Sequence, residues 1–303
     1  MIAYAGIDLG GTKSEVQLFD ADWTLVDKQR AATPRSYDEL LSVISSQITW
    51  AVTQAGQSIP IGIGAAGLLD AQDNAFAANL PAMGKPFPAD IERTTGHKIT
   101  YVNDCRALAL SEAAFGAGRD HSTVMSLILG TGVGGGVVFD GTLRAGPTHW
   151  GGEFGHMPAT APLIQKYDLP IYTCGCGRKG CIETYIAGPG LARMARDVAG
   201  VQMDPADIGS AKDVAGPAQD VWSIWCDLTS ELLLSLTQVV DPDIIVIGGG
   251  LSKIEHMTTD LKNHMQRKQF TGFGLPVLSC AQGGDVSGAR GAALAAAQEA
   301  RNE

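Results

Sequence analysis

Val124-Met-Ser-Leu-Ile-Leu-Gly-Thr-Gly-Val-Gly-Gly-Gly-Val-Val-Phe-Asp140 is an apolar run, a glycine turn and a second apolar run. Runs of this length rich in β-branched residues on either side of glycines predict a strand pair. The same pattern stands at the N-terminus, where Tyr4-Ala-Gly-Ile-Asp-Leu-Gly-Gly-Thr12 leads into the alternating stretch Lys13–Asp20. The two segments echo each other: Leu9 with Leu129, Gly10 with Gly130, Phe19 with Phe139 and Asp20 with Asp140. Two such units opening two halves of one chain predict a duplicated α/β architecture with a cleft between the halves.

Working outward, apolar residues at Leu40, Leu41, Ile44, Ile48, Ala51 and Val52 predict one face of a helix over 38–54, closed by Gly56. Ile59–Gly64 and Thr100–Val102 read as strands, and Ala107–Ala117 as a helix. Helices are expected near 189–198 and 221–240, a strand over Asp243–Ile247, and an alanine-rich helix over Gly288–Glu299. The expected small domain is 1–117 plus 288–303. Residues 118–287 form the expected large domain.

Of the 303 residues 45% are hydrophobic and 18% charged, which excludes a disordered chain. The net charge of −10 disfavours a nucleic-acid backbone or an anionic bilayer as partner. No apolar run approaches the roughly 18 residues of a membrane span, and no basic, then apolar leader opens the chain. A cytoplasmic protein is expected.

The glycine turns carry the first chemical signal. Consecutive backbone N–H groups free of side chains bind anionic oxygens, and Thr12 and Thr131 add hydroxyl donors. No Gly-Lys-Ser/Thr follows, so neither turn is a Walker loop, and the second leads into a strand, unlike a dinucleotide fingerprint. Taken singly each turn could be a plain hairpin, but the pair points to phosphates. The expected nucleotide set is Asp8, Gly10, Gly11, Thr12, Lys13, Gly130, Thr131 and Gly132. Gly248, Gly249 and Gly250 would face an adenine ring, and Asp8 would hold Mg²⁺ through water.

Cys174-Gly-Cys176-Gly-Arg-Lys-Gly-Cys181 places three thiols within eight residues. In a reducing compartment such spacing predicts a metal rather than disulfides, with a redox pair as the competing reading. Tetrahedral Zn²⁺ needs a fourth ligand, for which His156 is nearest upstream and His121 and His149 are rivals. Four protein ligands leave no open position, so the zinc would be structural, and it would brace Glu153 and Glu183 as partners for ligand hydroxyls. Asp104, at a strand end in Val102-Asn-Asp-Cys-Arg106, suits either a general base or a helix N-cap.

Together these motifs resemble the ROK family of sugar kinases and sugar-responsive repressors: Asp8-x-Gly-Gly-Thr12, Asn103-Asp104, Leu129-Gly-Thr-Gly-x-Gly-Gly135, Glu153-Phe-Gly-His156 and Cys174-x-Cys-Gly-x-x-Gly-Cys-x-Glu183. The resemblance implies an actin-like ATPase (ribonuclease H-like) fold that takes ATP and a hexose. It implies Asp104 as the base acting on the sugar 6-hydroxyl. Sugar contacts would come from Asn79, Asn103, Asp104, Glu153, His156 and Glu183. It implies zinc ligation by His156, Cys174, Cys176 and Cys181, with the second ring nitrogen of His156 facing the sugar. A homodimer is also implied. The family's Asn-Asp-Ala-Asn stands here as Asn103-Asp-Cys-Arg106, which leaves the fourth position without an assigned role.

Asn79-Leu-Pro-Ala-Met-Gly-Lys-Pro86, His156-Met-Pro158 and Asp241-Pro-Asp243 look like the family's N-acetylglucosamine kinases; fructokinases and glucokinases are near neighbours. A sugar-sensing regulator would need a DNA-reading domain and basic residues. The phosphate strand starts at residue 4 and the charge is acidic, so the kinase is the expected class.

Overall fold

The computed structural model describes residues 1–302. In chain order the first elements are β1 (Ile2–Leu9), β2 (Lys13–Asp20), β3 (Leu25–Ala32), α1 (Tyr37–Ala55), β4 (Ile61–Ala65), β5 (Leu68–Leu69) and β6 (Ala75–Phe76). Then come α2 (Phe87–Thr95), β7 (Thr100–Asn103), α3 (Asp104–Phe115), β8 (Thr123–Leu129), β9 (Val133–Phe139) and β10 (Thr142–Leu143). The remainder are α4 (Ala161–Lys166), α5 (Glu183–Ile186), α6 (Gly188–Asp197), α7 (Pro205–Ala211), α8 (Pro217–Val240), β11 (Ile244–Gly248), α9 (Met257–Gln266), β12 (Val277–Cys280) and α10 (Ser287–Asn302).

The two main sheets have the orders β3-β2-β1-β4-β7 and β10-β9-β8-β11-β12. In each, the strand before the glycine turn (β1 or β8) carries a parallel pair on its far side, β4 and β7 in one sheet and β11 and β12 in the other. The edge strand on the hairpin side pairs antiparallel in both. The echo in the sequence is therefore a repeat of topology.

Contacts divide the chain into one unit of 1–120, 136–151 and 282–303 and another of 121–135 and 152–281. The first unit begins to break only three residues beyond the expected boundary, but it also takes 136–151, assigned to the large domain on sequence. The reason is local: a Cβ on Gly136 would stand 2.7 Å from Ala109 Cβ and 3.1 Å from Arg106 Cα, so the strand packs directly on α3.

In the first unit, α1 lays Leu40, Ile44, Ile48 and Ala51 on the sheet and ends where Gly56 turns left-handed at φ 68°. Only glycine and a few polar residues adopt that conformation cheaply, so the helix stops there. On the same sheet α10 packs against β1, β4 and β7. The approach is backbone to backbone, since a Cβ on Gly62 would meet Ala292 O at 1.8 Å. In the second unit the helices α5, α6, α7 and α9 gather round α8, whose buried Trp225 donates Nε1–H to Ile186 O at 2.9 Å.

Candidate functional site

In the first unit, β1 delivers Asp8 to its C-terminal end beside Gly64 of the parallel strand β4. The turn that follows is closed by Gly10 N–H to Lys13 O at 2.9 Å. Thr33 braces it from outside, donating Oγ1–H to Gly10 O at 2.6 Å. Asn79 backs the same turn: a Cβ on Gly11 would come within 3.0 Å of Asn79 O, so glycine is needed for that approach.

Strand β7 delivers Asn103 and Asp104 in the same direction. The capping role belongs to Asn103, whose Oδ1 accepts from Cys105 N at 3.0 Å and Arg106 N at 3.4 Å. Its amide donates to Gly67 O at 3.0 Å. Asp104 is the first helical residue, and its Oδ1 accepts from the Cys105 N–H at 2.8 Å. Burial raises the Asp104 carboxyl above its ordinary range, and the Cys105 N–H offsets part of that. Asp8 is pushed up to about 6 by burial and then by the charge of Asp104, with Lys13 opposing. A buried carboxylate raised by the charge of a second one marks a place where a cation or a hydroxyl proton is welcome.

In the second unit, Gly130 N–H bonds Gly132 O at 3.0 Å and Gly188 N–H bonds Gly130 O at 2.8 Å, fixing the second turn. The Gly248–Gly250 turn lies against the end of β8, the strand that enters the second turn. Gly249 has φ 87°, and a Cβ there would stand 2.5 Å from Leu129 O. The short turn carrying Glu153 and His156 rests on the start of β9, because a Cβ on Gly155 would meet Val133 O at 2.2 Å. Gly135 N–H to Gly152 O at 2.8 Å ties the two together.

The ligand atoms of His156, Cys174, Cys176 and Cys181 lie within 4.8 Å of one another. Cys176 and Cys181 Sγ are 3.7 Å apart, and Cys174 Sγ is 3.6 Å from His156 Nδ1. A tetrahedron with Zn–S of about 2.3 Å and Zn–N of about 2.0–2.1 Å has edges near 3.8 and 3.6 Å. The donor set and its spacing therefore fit zinc. A disulfide needs about 2.05 Å, and all six cysteines are free thiols. His121 and His149 stand outside the cluster.

Glu183 joins this cluster to the glycine turn. Its Oε1 is 2.9 Å from Cys174 Sγ and 3.5 Å from His156 Nδ1, while Oε2 accepts from Val133 N at 3.3 Å. On the other ring edge His156 Nε2 is 3.8 Å from Glu153 Oε2. The first unit thus groups Asp8, Gly10–Lys13, Asn79, Asn103 and Asp104. The second groups Gly130–Gly132, Glu153, His156, Glu183, Gly248–Gly250 and the cysteines.

Residues 4–299 match the ROK family. The chain belongs to it. Among ROK relatives, the N-acetylgalactosamine kinase AgaK of Shewanella sp. (strain ANA-3) is 39% identical over 96% of both chains. The N-acetyl-D-glucosamine kinase of Escherichia coli O127:H6 (strain E2348/69 / EPEC) is 37% identical over 96% of this chain and 98% of its own. A ROK glucokinase of Streptomyces griseus, solved with glucose and AMPPNP, superposes with a TM-score of 0.78 at 27% identity, covering 98% of this chain and 100% of that one. The fold is the actin-like ATPase fold.

Three residues escaped the sequence reading. Asp285 acts on the Asp8 charge from the turn before α10, Arg106 is buried, and Glu112 is fully buried with four hydrogen bonds. Only Arg106 carried a signal in sequence, as a departure from the ROK motif. Glu112 is one acidic residue on a helix until its burial is seen.

Proposed function

We propose that this ROK protein transfers the γ-phosphoryl group of ATP to the 6-hydroxyl of N-acetyl-D-glucosamine. The observation that carries the reading is the division of labour at the start of α3. Asn103 takes the capping bonds of the Cys105 and Arg106 N–H groups, while Asp104 beside it sits in a buried setting that raises its proton affinity. A raised proton affinity suits a carboxylate that accepts a hydroxyl proton as a general base.

In the reaction Asp104 accepts the 6-hydroxyl proton as the O6–P bond forms and the γ-phosphorus parts from the bridging oxygen of ADP. The turns at Gly10–Thr12 and Gly130–Gly132 offer amide and hydroxyl donors to phosphate oxygens, and Gly248–Gly250 offers bare backbone to a flat ring. Asp8 is the residue that would hold Mg²⁺, and the paired carboxylates suit a divalent cation, whose chemistry there is charge neutralisation of the phosphates. The Cys₃His cluster would hold zinc as a closed structural site, fixing the ring of His156 and, through it, Glu153 and Glu183 as hydroxyl partners.

The AMPPNP and glucose of the Streptomyces glucokinase support a nucleotide and a hexose as co-substrates. The Escherichia kinase supports the acetamido sugar. A second reading, N-acetyl-D-galactosamine, is favoured by the 39% identical Shewanella relative and differs only in the configuration at C4. The test is ADP release with N-acetylglucosamine, N-acetylgalactosamine, N-acetylmannosamine, glucose and fructose. The highest kcat/KM is expected for N-acetylglucosamine. Preference for N-acetylgalactosamine would establish the second reading, and no sugar-dependent ADP release would end both.

A further inference from the structure

The chain passes from one unit to the other four times, after Asp120, Gly135, Gly151 and Ala281. On the side of the first unit, every one of these passages is tied to α3. Beyond its last turn, Ala117 N–H bonds Glu112 Oε2 at 3.1 Å and Gly118 N–H bonds Glu112 O at 3.0 Å, just before the first passage. Gly136, the first residue after the second, has its Cα packed on Arg106 and Ala109 with no room for a side chain. Before the third, Arg106 donates Nε–H to Gly151 O at 2.9 Å and an Nη2–H to His149 O. After the fourth, Gln282 and Gly283 N–H groups bond the two oxygens of Glu112 at 3.0 and 2.8 Å.

We infer that α3, the helix that begins with Asp104, is the anchor of all four passages, and that Arg106 and Glu112 are its positioning residues. The inference rests on the proposed kinase reading only where it concerns turnover. Both side chains are enclosed, Arg106 at 4% exposure and Glu112 at 0%, so their bonds are shielded from water. Arg106 spans two backbone carbonyls and Glu112 three backbone N–H groups. The Arg106 fork matches two carbonyls, one belonging to His149, a non-glycine residue held left-handed at φ 54°. The Glu112 carboxylate has two oxygens for two segments far apart in sequence. Two residues beyond Gly151 comes Glu153, so the segment that carries that side chain leaves the first unit from the point Arg106 holds. The arginine at the fourth position of the motif thereby acquires a role that asparagine, with a shorter and single amide, could not fill in the same way.

Hydrogen–deuterium exchange on the full-length protein tests the anchor without any ligand, and steady-state kinetics tests its consequence. For Arg106→Met, exchange at 145–152 is expected to rise about tenfold or more, with Val124–Leu129 and Ile244–Gly248 unchanged. The KM for sugar should rise about tenfold while that for ATP stays within twofold. Arg106→Lys, keeping a charge and one reachable carbonyl, should fall between wild type and Arg106→Met. Glu112→Gln turns an amide onto backbone N–H groups and should raise exchange at 117–118 and 282–283 together. Wild-type exchange at 145–152 in Arg106→Met, or in Arg106→Lys if the methionine variant does not fold, would overturn the inference. Raised exchange with unchanged sugar KM would likewise refute the positioning role. If wild type releases no ADP with any sugar, the kinase reading fails by itself and the exchange experiment still decides the anchor.

Discussion

In the proposed kinase, the neighbouring carboxylates of Asp104 and Asp8 have different tasks, a base and a cation partner. For Asp104 the expectation is sharp: Asp104→Asn should keep sugar binding, measured by calorimetry, while kcat falls about 10²–10⁴-fold, the range of a lost general base. Asp8 gives a pH signature. Its folded-state value of about 6 stands above the 3.8 of an unperturbed carboxyl, so the folded protein holds that proton more tightly. Ionising Asp8 therefore costs folding free energy, beginning as pH rises past about 4 and complete above about 6. Asp8→Asn should gain in Tm relative to wild type across that window and hold a constant margin above it; a margin independent of pH would refute the assignment. At this scale the sequence displayed Asp104 and the choice between base and cap. It could not display that Asn103 would take the cap, because the decision depends on ψ of 143° at Asn103 and on where β7 stops.

Among the elements, the hairpins, α1 and α10 were legible because each shows one clear period: alternation in β2, a 3.6-residue stripe in α1, alanine in α10. Strand β3 was not. Its residues Leu25–Ala32 are almost all exposed, as befits an antiparallel edge, so no apolar alternation marks it. Helices α2 and α9 are short and mostly polar, with three buried residues each, too few to write a stripe. What no pattern announces is the closeness of α10 to the sheet and to α3. A methyl group on Gly62 would overlap Ala292 O, and one on Gly291 would overlap Ala107 O at 1.7 Å. Gly62→Ala should thus cost about 1–3 kcal/mol or more in urea unfolding, from overpacking that only a shift of α10 can relieve. By contrast Gly96→Ala, with open space around its φ of 71°, loses only backbone comfort, about 1 kcal/mol. Equal losses at the two positions would show that the packing argument is mistaken.

For the molecule as a whole, the repeat of two sheets was readable from the paired glycine turns, whereas the return of 136–151 to the first unit was not, since it depends on Gly136 meeting α3. Metal content is a property of this scale too. About one zinc per chain is expected by elemental analysis, with Cys176→Ser losing it and lowering Tm; a native protein free of zinc and fully stable would refute the site. Among the described residues no helix is long and apolar enough to cross a membrane.

The order in which the chain is made gives the α10 packing a last consequence. Strands β1, β4 and β7 are complete by residue 103, yet the helix that packs on them begins at Ser287. On one side of that sheet α3 is available early to β4 and β7. A nascent chain emerging from the ribosome must nevertheless leave the part that α10 covers, including Gly6 and Gly62 of β1 and β4, unfilled until nearly all of the polypeptide has been synthesised. Premature termination before Ser287 would release a product whose sheet lacks the α10 part of its cover, a substrate for chaperones and proteases rather than a smaller folded protein.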